Sequence, residues 1–140
     1  MARRSSVKGD FKLRGKLRKL GNEIESDLRP AMLQAAALVL STQQDLILRD
    51  TGRAEQSLKV FVSKSGLDAQ IGIRGKRDNQ KFFYTKFIEY GTKGYRRGEH
   101  AIAGMPAHPW LRPSYDLNRE EIVLLIRQAI ASTLRKAEVT

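Results

Sequence analysis

From Leu13 to Val39 the chain repeats apolar side chains in steps of three and four: Leu13, Leu17, Leu20, Ile24, Leu28, Met32, Ala35, Ala36 and Val39. Such steps place one apolar stripe along one face of an α-helix, and that stripe needs a partner to cover it. A strand cannot use this period, because its side chains alternate every two residues. Gly15, Gly21 and Pro30 interrupt the stripe. Glycine inside a helix costs about 1 kcal/mol against alanine, and proline about 3 kcal/mol. Proline is tolerated in a first turn, where its missing N–H has no partner anyway. The pattern predicts a first helix near 11–28 and a second near 30–49, or one long helix kinked at Pro30. Asp45 and Arg49, four residues apart, add slight support to the second half.

The rest of the chain changes period. Asp50-Thr51-Gly52 is expected to end the helix, with Gly52 in the left-handed conformation common at a helix C-terminus. Leu58, Val60 and Val62 then alternate with polar residues, as in a half-buried strand. Ser65-Gly66 signals a turn, and Ala69, Ile71 and Ile73 alternate through a second strand, making an antiparallel hairpin. Gly75 to Asn79 is expected as a loop and Phe82–Tyr90 as a short helix. Gly91, Gly94, Gly98 and Gly104 with Pro106, Pro109 and Pro113 exclude regular helix and predict a long loop. Unstructured loops above roughly 12–15 residues in a small domain usually carry function or form an interface. Ile122, Leu125, Ile126, Ala129, Ile130 and Leu134 mark a final helix, with Ser114, Asp116 or Asn118 as its expected cap.

The elements add up to an α+β fold: N-terminal helices, a small antiparallel sheet (a hairpin and a candidate extra strand), a long Gly/Pro-rich loop and a C-terminal helix. Residues 1–10 are expected as a flexible basic tail and 11–140 as one domain, since 140 residues fit a single core.

Charge narrows the function. The formal net charge is +11. Residues 1–20 hold Arg3, Arg4, Lys8, Lys12, Arg14, Lys16, Arg18 and Lys19 against Asp10 alone, a balance of +7. Residues 74–98 carry +6, while 21–73 come to −2 and 99–140 to zero. Two basic blocks therefore hold the whole excess, which suits a polyanionic partner or a place in an assembly that contains one. Contact with phosphate needs Lys and Arg but no particular spacing.

Other classes fall away. The chain has no cysteine, hence no disulfide scaffold, cysteine zinc site or thiol nucleophile. The longest apolar run, Ala35 to Leu40, is far short of the roughly 20 residues that span a bilayer. The basic N-terminus has no apolar run behind it, so a soluble intracellular protein is expected rather than a secreted one. P-loop, dinucleotide, G-x-S-x-G and H-E-x-x-H motifs are absent. His100 and His108, eight residues apart, do not share a helical face, and no carboxylate cluster joins them. Glu89 is a lone acid among aromatics, expected to cap or pair structurally rather than to act as a base. No enzyme, cofactor, metal or membrane partner is expected. Lys81-Phe82-Phe83-Tyr84 has the basic and aromatic composition of single-strand binders, but aromatics at this spacing are expected to fill a core.

One set of residues is distinctive. Phe87-Ile88-Glu89-Tyr90-Gly91-Thr92, then Met105-Pro106-Ala107-His108-Pro109-Trp110-Leu111-Arg112-Pro113, then a helix, resembles a family of tailed-bacteriophage neck proteins, the gene-product-ten-like head–tail joining or tail-completion proteins of siphophages. Asp50-Thr51-Gly52-Arg53 with Ser57-Leu58-Lys59-Val60 matches an earlier motif of that family, with Ala54 in place of a larger apolar residue. The resemblance covers roughly residues 15–135. It implies a small sheet packed on helices and a structural role in the virion, after assembly in the host cytoplasm. It also implies a ring, often sixfold, at the head–tail junction, through which DNA passes, bounded by other neck and tail-tube proteins.

Under that resemblance the subunit-interface residues are Glu89, Gly91, Thr92, Pro106, Pro109, Trp110, Leu111 and Pro113. The prolines would stiffen an extended segment and lower the entropy lost on docking. Trp110 either anchors that segment on a neighbour or fills its own core. Lys76, Arg77, Lys93, Arg96 and Arg97 are the residues expected to face DNA or the lumen. The alternative is a free-standing, sequence-independent nucleic-acid-binding protein, which the charge alone would support.

Overall fold

The computed structural model describes residues 9–139. The basic tail expected at 1–10 lies almost wholly outside the described residues.

The long amphipathic stretch forms one helix, α1 (Asp10–Leu46), which runs unbroken through Pro30. At about 1.5 Å per residue it is roughly 55 Å long. Its length outweighs the proline because a second long helix covers it. That helix, α5 (Leu111–Val139), takes the last part of the chain. Asn118 Nδ2 donates to Thr42 Oγ1 at 2.8 Å, and Thr133 Oγ1 donates to Asp27 Oδ2 at 2.7 Å. Moving fifteen residues forward along α5 thus moves fifteen residues back along α1. The two helices are antiparallel neighbours, and Leu28, Ala35, Ala36 and Val39 are buried along α1.

α1 ends earlier than expected. Its cap is Ile47, whose extended backbone turns the side chain into the core. Gly52 does take a left-handed conformation (φ 72°), but it opens the next helix, α2 (Arg53–Gln56), instead of closing α1. The hairpin follows as β1 (Lys59–Val62) and β2 (Ala69–Gly72), antiparallel, with Val60 opposite Ile71 and Val62 opposite Ala69. Both strands pack on α1.

Gly75 to Asn79, expected as a loop, is mostly helical: α3 (Lys76–Lys81) occupies it. Asp78 in its first turn bonds Lys59 Nζ at 2.7 Å and ties α3 to β1, an ion pair that no local pattern announces. The expected short aromatic helix is α4 (Tyr84–Tyr90). The Gly/Pro-rich segment carries a second hairpin, β3 (Tyr95–Arg97) with β4 (His100–Ile102), all of it exposed.

The compact core lies where these pieces meet. Ile47, Ala54, Leu58, Phe82 and Trp110 form one buried cluster, with Leu40, Leu46, Ile73 and Ile88 packed against it. Ile47 caps α1, Ala54 lies in α2, Leu58 precedes β1, Phe82 caps α3 and Trp110 precedes α5, and Ile88 brings α4 against them, so the cluster ties these elements together.

Candidate subunit interface

The two motifs that resemble neck proteins meet in space. Glu89 sits on α4 and is 7% exposed, and its carboxylate points at the first turn of α5. Oε2 accepts the backbone N–H of Trp110 at 2.6 Å and of Leu111 at 2.8 Å, and Oε1 accepts that of Arg112 at 3.2 Å. The next residue is Pro113, which has no N–H. The four donors that a helix start normally leaves unpaired are thereby all accounted for. A carboxylate is also the right charge for the positive end of a helix. The expected caps Ser114, Asp116 and Asn118 are not used. Ser114 is fully buried inside the first turn and donates to the carbonyl of Leu111, while Asn118 bonds across to α1.

The Pro-rich segment is pinned to α4 and to Thr92 at three points. Trp110 Nε1 donates to the carbonyl of Thr85 at 3.3 Å, and His108 N donates to that of Ile88 at 2.7 Å. Thr92 and Met105 exchange two backbone hydrogen bonds at 2.9 and 3.0 Å. Gly91 lies at this crossing with φ 71°, and a Cβ there would sit 2.7 Å from the Met105 carbonyl oxygen. A side chain at 91 is thus opposed both by backbone conformation and by space.

This geometry divides the expected interface residues. Glu89 and Trp110 (4% exposed) work inside the subunit, and Pro113 is half-buried in the first turn of α5. Gly91 is half-buried at the crossing, whereas Thr92, Pro106, Pro109 and Leu111 are exposed. Of the basic residues, Lys76 and Arg77 are exposed on α3, and Lys93, Arg96 and Arg97 are exposed on or beside β3. The Lys59 ammonium, hydrogen-bonded to Asp78, holds that carboxyl below its usual value, so one acid in this basic block is already spent on a lysine.

Other exposed groups escaped the sequence pattern. Only Phe82 of the Lys81–Tyr84 run is buried; Phe83 and Tyr84 are exposed, contrary to the expectation of core. With Phe87 and Tyr90, which is 79% exposed, they make an aromatic face on and before α4. Phe83 stands edge-on to both Tyr84 and Phe87, at 6.2 and 6.1 Å between ring centres. Beside it runs a largely apolar groove of about 630 Å³, lined by Leu48, Thr51, Gly52, Ala54, Tyr84, Phe87, Ile88, Thr92 and Met105, with Arg49, Asp50 and Glu55 completing it. The spacing of Phe83, Phe87 and Tyr90 does mark one helical face, but a face can be turned in or out, and only the tertiary fold decides. Large exposed apolar patches are unusual on monomers and mark interaction sites.

Among the described residues no group of three His, Cys, Asp or Glu side chains could hold a metal ion. No helix among them is long and apolar enough to cross a membrane.

Residues 11–91 match the model of the HK97-gp10-like family, described as a bacteriophage tail component. No curated protein and no solved structure matches the chain. The matched span includes α1, the first hairpin, α4 with Glu89, and Gly91.

Proposed function

Since the chain belongs to the HK97-gp10-like family of bacteriophage tail components, we propose that it forms a ring at the head–tail junction through which DNA passes. The family makes it a structural part of a phage virion. The ring, its position at the neck, its sixfold symmetry and the contact with DNA are the proposal. What supports it is the exposed aromatic face of Phe83, Tyr84, Phe87 and Tyr90 with the apolar groove beside it, on a subunit whose own core is already filled. A chain with that much uncovered apolar surface gains by associating.

In this role the Glu89 clamp fixes the start of α5 and the Pro-rich segment in one geometry before assembly. Thr92, Pro106, Pro109 and Leu111 then offer a preformed surface to a neighbour, and little conformational entropy is lost on docking. Lys76, Arg77, Lys93, Arg96 and Arg97 supply positive charge to the lumen or to acidic neighbours. Neighbouring neck and tail-tube proteins would cover the two faces of the ring, and assembly would take place in the host cytoplasm.

Electron microscopy of the particle tests this directly. Density for the chain in a ring between head and tail is the expected result; density elsewhere in the tail, or no ring, overturns it. The exposed basic residues also favour a second reading, a free nucleic-acid binder. Its mark would be tight DNA binding by isolated monomer, with an affinity that falls steeply with salt.

A further inference from the structure

The apolar stripe of α1 does not stop where α5 stops. Ala137 of α5 faces Leu17 and Leu20 across a small hollow, and beyond it α1 continues toward its start with no other helix of the described residues beside it. Every side chain from Phe11 to Lys19 is exposed, including Leu13 and Leu17. Leu13, Leu17 and Leu20 prolong the face that α5 covers farther along, since steps of three and four keep to one side of a helix. Lys12 and Lys16 fall on one flank of this stripe and Arg14 and Arg18 on the other, by 100° per residue. Over residues 10–20 only Asp10 opposes five cations, and it is bound to Arg14 at 2.8 Å.

A complementary stripe lies at the other end of the molecule. On α5, Leu117 (71% exposed) and Leu124 point away from α1, one heptad apart. Glu120 and Glu121 lie between them, and neither makes an ion pair with another described residue. Leu13 and Leu20 are also one heptad apart, so both stripes span about 10.5 Å at 1.5 Å per residue. They cannot meet within one subunit. Asn118 is bonded to Thr42, which places Leu117 nearly thirty residues along α1 from Leu13, or roughly 45 Å.

We infer that the projecting start of α1 docks on the Leu117–Leu124 stripe of α5 in a second copy of this chain. Basic flanks meet Glu120 and Glu121, and leucines meet leucines, which favours this occupant over a second α1 with its like charge. The two patches differ, so the contact is head-to-tail, and repeating it by rotation generates a closed ring or an open filament. The inference rests on the ring reading and names one of its interfaces.

The chain has no cysteine, so introduced ones report cleanly. Leu17→Cys and Leu117→Cys lie on exposed helix faces, and circular dichroism melts confirm their folding. Oxidation of particles carrying both substitutions in one full-length chain is expected to give a ladder of disulfide-linked multimers. A Leu17→Cys chain alone should give none. Lys12→Glu with Lys16→Glu, or Glu120→Lys with Glu121→Lys, should lower incorporation roughly tenfold, and all four changes together should restore it. Particles with a visible ring but no Leu17–Leu117 linkage overturn this interface and leave the ring standing. Linkage of Leu17→Cys to itself or to another virion protein also overturns it. Particles with no ring overturn the ring reading itself.

Discussion

The Glu89 carboxylate accepts the backbone N–H of Trp110 at 2.6 Å, twenty-one residues away, and with it the start of α5. One buried acid thus does the work usually done by a local capping residue. It also holds α4 and the Pro-rich segment together, so the two motifs form a single structural unit.

Glu89→Ala removes the acceptor for three N–H groups. Hydrogen bonds to a charged group contribute about 1.5–3 kcal/mol each, and donors left buried cost more. Only the Trp110 donor belongs to a buried residue, and those of the exposed Leu111 and Arg112 can turn to water, so a loss of roughly 3 kcal/mol is expected in urea unfolding, with Glu89→Gln losing about half as much. Faster amide exchange at Leu111 and Arg112 would locate the damage. Unchanged exchange there would mean that the cap contributes little.

Trp110→Ala opens a cavity in the cluster of Ile47, Ala54, Leu58 and Phe82. Large-to-small changes of this kind cost about 3–5 kcal/mol. The isolated subunit should therefore melt at a clearly lower temperature, and assembly should fail as a consequence. A variant with parental melting and failed assembly would restore Trp110 to the interface.

Phe87→Ser and Tyr90→Ser act on exposed rings. Surface changes usually stay within about 0.5 kcal/mol, so thermal unfolding of the subunit should hardly move. Incorporation into particles, read by quantitative electrophoresis of purified virions, should fall several-fold, in line with the loss of buried apolar area. Full incorporation of both variants would remove the aromatic face from the interface.

Asp27 bridges the long helices through Thr133 and Lys136. The Thr133 hydroxyl first, and then Lys136, hold its pKa below the ordinary carboxylate value. A depressed folded-state value means that the contribution to stability is present at neutral pH and lost as pH falls through the ordinary range and below it. Asp27→Asn should therefore be less stable than the parent at pH 7 and show a shallower loss of stability below about pH 4. Parallel pH profiles for the two chains would contradict this.

The helical stretches and the first hairpin were legible because each follows its own period: three to four residues in 13–39 and 122–134, two in 58–62 and 69–73. The short α3 was not, because glycine and charge at 75–79 suit a loop equally well, and the Lys59–Asp78 pair that steadies it spans the chain. The end of α1 was misplaced for a similar reason. Ile47 leaves the helix to enter a core built from distant residues, which no local signal could reveal. The second hairpin was hidden by the glycines that permit its turns.

For the site, the resemblance named Glu89, Gly91 and Trp110 as interface residues, and the fold joins Glu89 to Trp110 inside the subunit. Sequence alone located the charge, since that needs only counting. Tertiary structure decided which way each faced. It turned Trp110 and the Glu89 carboxylate inward, because a buried helix start needs its N–H groups paired. It turned Phe83, Phe87 and Tyr90 outward, because Phe82 and Trp110 had already filled the core they would have entered. Periodicity defines a face; only the competition among distant elements for one small core determines which faces remain for other subunits.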